Sequence, residues 1–565
     1  IQQIHSCDSV LPALLASGTS MDGCAGMNLL RKFPSWLVHP LLFSIYPILS
    51  YFSNNIDDLR AVDALPSLII ALALAVVLII AFTLLLGGDV RSATLLATLT
   101  LVIFFSYGHL RSLIKQVNLS VVPIGRHRYL LPGAFTLIVL GYWLVRSRIK
   151  DVTQVTAWIN WVAVVAVIFP LINIGRSAYE VARNKRLPTT ERISATASSL
   201  RSERGQPDVY YIVLDGYARA DILEEIFTLD NQDFIDDLEK RGFQVANRSN
   251  SNYNRTVFSI ASSLNMAYLQ DLTAQSQTSL GQAKILLKDA AVPEYFKSLG
   301  YEIVALESGY GPTHINNYDH FIAFEKPHSL HVFGIPFQMG DFEWYLVQTS
   351  IVSAIYDGLL AGDYLRVGDQ RFAGHRYRVS ESFDTLEEIP GWKGSFFVFA
   401  HIVSPHPPFV FDSQGNPVDP DYPFTFKDAN DYLRYSDRDD YIQGYRDQLI
   451  YLNSLVLETV DGIIASSSPA PIIILQADHG SGAYTDFDDV ENTDLQERYA
   501  IFNAYYFQGE TSSKIYPSVT PVNTFRIVFD EFFNGEFELL PDEFYYYDRD
   551  DTYIIPIPKQ MLNSR

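Results

Sequence analysis

Cysteine is nearly absent. The chain of 565 residues has two, Cys7 and Cys24, and none afterwards. That excludes a disulfide-stapled scaffold, a cysteine nucleophile and a thiolate metal site from everything downstream. It is compatible with an extracytoplasmic location, which disulfides would mark but do not define. Positive charge is also scarce: 42 Lys and Arg stand against 64 Asp and Glu, a formal net charge of -22. A nucleic-acid partner is excluded on that balance, because phosphate binding needs a basic face. The acidic excess lies mainly beyond residue 205, in runs such as "DRDDY" and "YYYDRDDTY", which read as solvated surface. Internal repeats and long low-complexity tracts are lacking too.

Apolar runs are what the first third has in plenty. A bilayer-crossing helix needs about 20 mostly apolar residues, and five stretches qualify: 33–52, 65–87, 92–108, 129–145 and 156–175. The third and fourth are short enough to be partly re-entrant. The five runs together carry few charges, with His39, Asn160 and Asn173 the main polar exceptions, which argues against a transport pathway. Arg31 and Lys32 before the first run, and Arg146, Arg148 and Lys150 after the fourth, favour a cytoplasmic N-terminus. Arg111, Lys115, Arg126 and Arg128 pull the other way. With five spans and the N-terminus inside, everything after residue 175 faces away from the cytoplasm. The chain opens on Ile, and a natural start is expected at Met21 or Met27, with the preceding residues adding nothing to the fold. Beyond Met27 comes a series of spans and not a signal-peptide cleavage site.

From residue 208 the pattern changes to strands alternating with helices. "DVYYIVLDGY", "YEIVALESGY", "GSFFVFAHIVSPHPPF" and "PIIILQADHG" read as strands, and 220–241 and 441–467 as helices. This alternation predicts a mostly parallel sheet with helices on both faces, and near-continuous apolar strands fit burial on both sides. The expected organisation is a 1–32 tail, a 33–175 five-helix membrane domain, a 176–206 juxtamembrane connector and a 207–565 α/β domain.

Three strands end in chemistry: one at Asp215, one running through His401 toward His406, one at Asp478-His479. A polar residue after a strand is ordinary turn chemistry. Three such ends on one parallel sheet would gather at its carboxyl edge, where open α/β sheets place their sites. Carboxylate and imidazole together suit a divalent transition metal. "SNYNRTVFSIASSLNMAYL" adds Thr256 and Ser259 at the start of a predicted helix. Such a hydroxyl is commonly a cap. Beside a metal it loses its proton more easily and becomes a nucleophile.

The order "VLDG", "NRTVFS", "SPHPPF", "ADHG" resembles the alkaline phosphatase and sulfatase superfamily. Five spans ahead of such a domain resemble its membrane-bound branch of lipoteichoic acid synthases, phosphoglycerol transferases and phosphoethanolamine transferases. The resemblance implies an alkaline-phosphatase-like catalytic domain. It makes Asp215, Thr256, Asp478 and His479 metal ligands and Thr256 the nucleophile. It places His406, and less directly His401, on the substrate. The first ligand is Asp here where lipoteichoic acid synthases carry Glu. The implied cofactor is zinc or manganese, one or two ions; a second ion would need further ligands, and His314, Asp319 and His320 are present with no spacing that singles them out. The implied reaction moves a phospholipid head group through a phosphothreonine to a cell-envelope glycan, lipid or polymer. The same site would serve an extracytoplasmic phosphodiesterase, phosphatase or sulfatase-like hydrolase. A non-catalytic membrane-anchored binding protein is the remaining alternative. "TVFSI" lacks the Cys/Ser-x-Pro-x-Arg that a formylglycine sulfatase needs, which counts against that route.

Overall fold

The computed structural model describes residues 35–54, 56, 61–116, 127–149, 151–184, 200–201, 205–273, 278–324, 329–332, 335–338, 341–354, 370–420, 422, 424–548 and 554–562. The 1–32 tail, with both cysteines, Met21 and Met27, lies outside them, as does most of the expected connector. The chain forms two compact units. One holds 1–54, 61–173 and 340–359; the other holds 55–60, 174–339 and 360–565.

The first unit is helical. α1 (Val38–Asn54), α2 (Leu65–Leu85), α3 (Val90–Gln116), α4 (His127–Ser147) and α5 (Val152–Asn184) cover the five apolar runs. They are membrane-spanning helices: long, apolar and outwardly greasy, with Leu84, Phe135, Trp161 and Phe169 exposed. α3 and α4 are continuous helices, with no re-entrant turn. α3 outruns its apolar stretch because polar residues such as Arg111 and Ser112 continue the helix beyond it. His39 Nδ1 meets Thr98 Oγ1 at 2.5 Å between α1 and α3, and Asn160 Nδ2 donates to Ser35 O at 2.9 Å. His39 Nδ1 and Asn160 Nδ2 thus each have a polar partner, while His39 Nε2 and Asn160 Oδ1 are buried with none.

The helix Asp341–Thr349 belongs to this unit, although the chain on either side of it belongs to the other. Tyr345 stacks on Tyr51 at 4.0 Å between ring centroids. Ser67 Oγ donates to Glu343 Oε1 at 2.7 Å, and Ile351 N donates to Phe104 O at 3.0 Å.

In the second unit seven strands form one sheet: β1 (Val209–Leu214), β2 (Gln244–Val245), β3 (Glu302–Leu306), β4 (His320–Ile322), β5 (Phe396–Ile402), β6 (Ile472–Gln476) and β7 (Asn503–Phe507). Their order is β2-β7-β6-β1-β5-β3-β4. β6, β1, β5, β3 and β4 run parallel, and β7 runs against β6 and β2. Alternate side chains feed two cores. Tyr210, Ile212 and Leu214 face α7 (Gln370–Glu388) and α8 (Arg438–Ser466). Val209, Tyr211 and Val213 face α6 (Thr256–Asn265) and α9 (Pro521–Phe532). The mostly parallel sheet with helices on both faces is thus present.

α8 is apolar enough by composition to cross a bilayer, yet it buries Leu449, Leu452, Val456, Val460 and Ile463 against the sheet. Each such burial contributes about 1.5–3 kcal/mol. The single helix expected over 220–241 is two, Ala220–Phe227 and Gln232–Lys240, because Thr228 turns left-handed (φ 51°) and stops the first.

Candidate active and metal-binding site

Registration of the parallel strands builds the site. Leu214 pairs with Ile402 across β1–β5, and Val213 with Gln476 across β1–β6. The carboxyl ends of the three central strands therefore lie side by side. Asp215 N donates to Ile402 O (3.0 Å), and Asp215 O accepts from His406 N (3.0 Å). Thr256 opens α6 and comes in from the neighbouring face; its Oγ1 lies 3.0 Å from His479 Nε2.

All six residues named from the sequence come together. His479 Nε2 is 3.2 Å from Asp478 Oδ2 and 3.5 Å from Asp215 Oδ1. His401 Nε2 is 3.1 Å from Asp215 Oδ2, and its Nδ1 is 2.9 Å from Thr313 Oγ1. The His406 and His479 rings lie 6.3 Å apart. His479 Nδ1 donates to Gly480 O at 2.9 Å, so Nε2 keeps its lone pair toward the carboxylates and Thr256. Burial, then the nearby Arg498 charge, pushes the His479 pKa down, which favours the neutral imidazole that a metal requires.

Two buried carboxylate oxygens in this group, Asp215 Oδ1 and Asp478 Oδ2, have no hydrogen-bond partner. An unpartnered buried acceptor is costly, and more so when charged. A cation bound between them removes that cost. Asp215, His401 and Asp478 offer ligand atoms that all lie within 4.8 Å of one another. Together with His479 Nε2 and Thr256 Oγ1, this is an oxygen-and-nitrogen set fit for a divalent cation. Burial by itself would raise the Asp215 pKa, but His406, His401 and His479 hold it well below the usual carboxylate range. Of the further candidates, Asp319 pairs with Lys297 (3.3 Å) and His320 with Glu302 (2.5 Å) at the far edge of the sheet, and the His314 ring meets Phe321 of β4 at 5.4 Å.

The glycines of "ADHGSGA" have packing reasons. A Cβ on Gly480 would overlap the Glu497 carbonyl oxygen, and one on Gly482 would sit 2.5 Å from Asp428 Oδ1. Gly216 has φ +75°, and its N–H donates to Asp478 Oδ1 at 3.0 Å, a conformation that other residues adopt only with strain.

Three functional neighbours escape a reading of the sequence. Asp428 lies 4.0 Å from His406 Nε2. It accepts from Arg498 Nη1 (2.7 Å) and Tyr441 OH (2.8 Å). Burial alone would raise its pKa, but the charges of His406, Arg498 and His479 hold it at about 2. Arg498, 1% exposed, also donates to Asn254 O (2.9 Å), Gly480 O (3.3 Å) and Ser481 O (3.4 Å), tying the Thr256 approach to the His479 loop. Glu497 accepts from Ser481 Oγ, Ala483 N and Tyr484 N. Its pKa is pushed up to about 7 by burial. None of the three stands in a motif; buried charges in "KDANDY" and "QERYA" look like surface ones until the fold closes over them.

Fold and site together define a membrane-spanning protein carrying an α/β domain with a buried Asp/His/Thr centre. The chain is similar to solved structures from the group its motifs resemble. One is the C-terminal periplasmic domain of EptC from Escherichia coli in complex with Zn: 10% identity, 64% of this chain and 96% of that one covered, TM-score 0.39. Another is the integral membrane lipooligosaccharide phosphoethanolamine transferase A from Neisseria meningitidis: 11% identity, 87% and 94% covered, TM-score 0.36. A third is a sulfatase of glycosaminoglycan metabolism from Bacteroides thetaiotaomicron: 11% identity, 62% and 84% covered, TM-score 0.35. No family model and no curated protein matches the chain.

Proposed function

We propose that the protein is a membrane-anchored, divalent-metal-dependent phosphotransferase with its catalytic domain over 207–565. It moves a phospholipid head group, of phosphoglycerol or phosphoethanolamine type, to a hydroxyl on a cell-envelope glycan, lipid or polymer. One observation carries the reading: the Thr256 hydroxyl, at the first residue of a helix, lies 3.0 Å from His479 Nε2, beside two carboxylate oxygens that have no hydrogen bond.

Asp215, Asp478, His479 and Thr256 would hold zinc or manganese, which supplies charge neutralisation and a more acidic Thr256 hydroxyl. Thr256 Oγ forms a bond to phosphorus, and the bond from phosphorus to the diacylglycerol oxygen breaks. The Thr256 proton ends on that oxygen, with His406 as the group placed to hand a proton over. An acceptor hydroxyl then attacks phosphorus, Thr256 Oγ leaves, and the acceptor's proton returns to it. Amides at the start of α6 favour the phosphoryl oxygens. Asp428 and Arg498 hold His406 and the His479 loop in place.

An extracytoplasmic catalytic domain is supported by the membrane unit. The helix Asp341–Thr349 contacts the end of α1, the start of α2 and the last third of α3. Successive crossings put those ends on one side, which is also the side where α5 ends after five crossings.

The test is intact mass of the protein after incubation with zinc or manganese and mixed bacterial phospholipids, for wild type and Thr256→Ala. A head-group phosphoryl adduct that needs Thr256 is expected, and its mass names the donor. Metal bound with no adduct under any lipid would refute the nucleophile. Adding hydroxylated acceptors then separates transfer from release to water.

A further inference from the structure

A cleft of about 790 Å³ is lined among others by Arg438, Tyr484, Thr485, Asp486, Asp494 and Gln496. That is within the ordinary range of small-ligand sites. Its walls include the segments that follow Asp428 and His479 in the chain. Tyr484 lies five residues beyond His479 and is held by Glu497. Arg438 Nε donates to Ala483 O at 2.9 Å. Asn430, two residues after Asp428, donates its N–H to Thr485 O at 3.1 Å.

The lining states what the cleft would accept. Asp486, Glu491 and Asp494 outweigh Arg438, so an anionic ligand is disfavoured. Thr485 Oγ1 and Gln496 Oε1 are buried with no hydrogen-bond partner, and Thr485 is 4% exposed. Such groups call for a ligand or water that donates to them. Tyr484 is 41% exposed, and the Arg438 guanidinium lies 4.3 Å from its ring centroid. One accessible aromatic ring within a rim of carboxylate and amide acceptors matches a neutral, hydroxyl-rich ligand. Its C–H faces rest on the ring and its O–H groups donate to the rim.

We propose that this cleft binds a neutral saccharide, and that it is the part of the acceptor that presents the attacking hydroxyl. The word acceptor rests on the phosphotransferase reading; saccharide binding does not. The probes are maltotriose and tri-N-acetylchitotriose, with glucose 1-phosphate as the charged comparison. Binding to the full chain in detergent is followed by saturation-transfer NMR. At least one trisaccharide is expected to bind, and glucose 1-phosphate at least 10-fold more weakly. Tyr484→Ala and Gln496→Leu should each weaken binding at least 10-fold, while Tyr484→Phe keeps it. No trisaccharide binding, or binding that both Tyr484→Ala and Gln496→Leu leave unchanged, overturns the proposal; two variants guard against one that fails to fold. Saccharide binding that survives in a protein showing no Thr256 adduct would refute the phosphotransferase reading and leave the cleft standing.

Discussion

Arg498→Met tests whether a buried ion pair holds the centre together. Arg498 and Asp428 are both almost wholly buried, 1% and 4% exposed, so their 2.7 Å contact is little screened by solvent. Removing the guanidinium leaves Asp428 charged with Tyr441 and the distant His406 for company. It also takes a donor from the carbonyls of Asn254, Gly480 and Ser481. Breaking one side of a buried pair costs about 3–5 kcal/mol, and each carbonyl left unsatisfied adds about 1 kcal/mol. Gly480 O keeps His479 Nδ1, so two carbonyls are stranded and the expected loss is about 5–7 kcal/mol. Asp428→Asn should be milder, because Arg498 retains three carbonyls. In the double variant no charge is stranded, so the loss should fall short of the sum by about 2 kcal/mol. The assay is denaturant unfolding of the full chain in detergent, followed by near-ultraviolet circular dichroism of the crowded aromatic rings. Additivity within about 0.5 kcal/mol, or a loss below about 1 kcal/mol for Arg498→Met, would refute the reasoning.

Other expectations come from the same geometry. Saturating zinc at about 100 times its Kd should stabilise the protein by about 2.7 kcal/mol, and a chelator should reverse this; Asp478→Asn should abolish the gain, as read by thermal unfolding. Gly482→Ala places a Cβ 2.5 Å from Asp428 Oδ1 and should cost about 1–3 kcal/mol; an unchanged melting midpoint would show that the loop yields. The Glu497 pKa is raised from 4.5 to about 7 in the fold, so the folded state binds the extra proton. That stabilisation, about 3 kcal/mol, is full below about pH 4.5 and lost as pH rises through about 7. Glu497→Gln should flatten the stability profile across that window, and equal slopes for the two proteins would contradict it.

Much of this architecture is legible in the linear chain. Apolar runs long enough for a bilayer can be counted, and α1, α2 and α4 lie close to those runs, whereas α3 and α5 continue past theirs. Strands buried on both faces must be apolar throughout, so Asp215 and Asp478-His479 stand out where β1 and β6 end. The hydroxyl at Thr256 is visible as a helix start. The motif resemblance puts His401 on the substrate side; its Asp215 contact at 3.1 Å depends on the β1–β5 register, which no local pattern states.

By itself, then, the order of residues determined which segments cross the membrane, which become strands, and which polar side chains end them, because these depend on local periodicity and the cost of burying polar groups. Only the tertiary structure decided that Asp428, Glu497 and Arg498 are buried charges beneath the centre, and that the helix Asp341–Thr349 returns to the membrane unit. It also decided that Gly480 and Gly482 are glycines for want of space. Those facts depend on which distant surfaces meet, and burial is a property of that meeting and not of any residue alone.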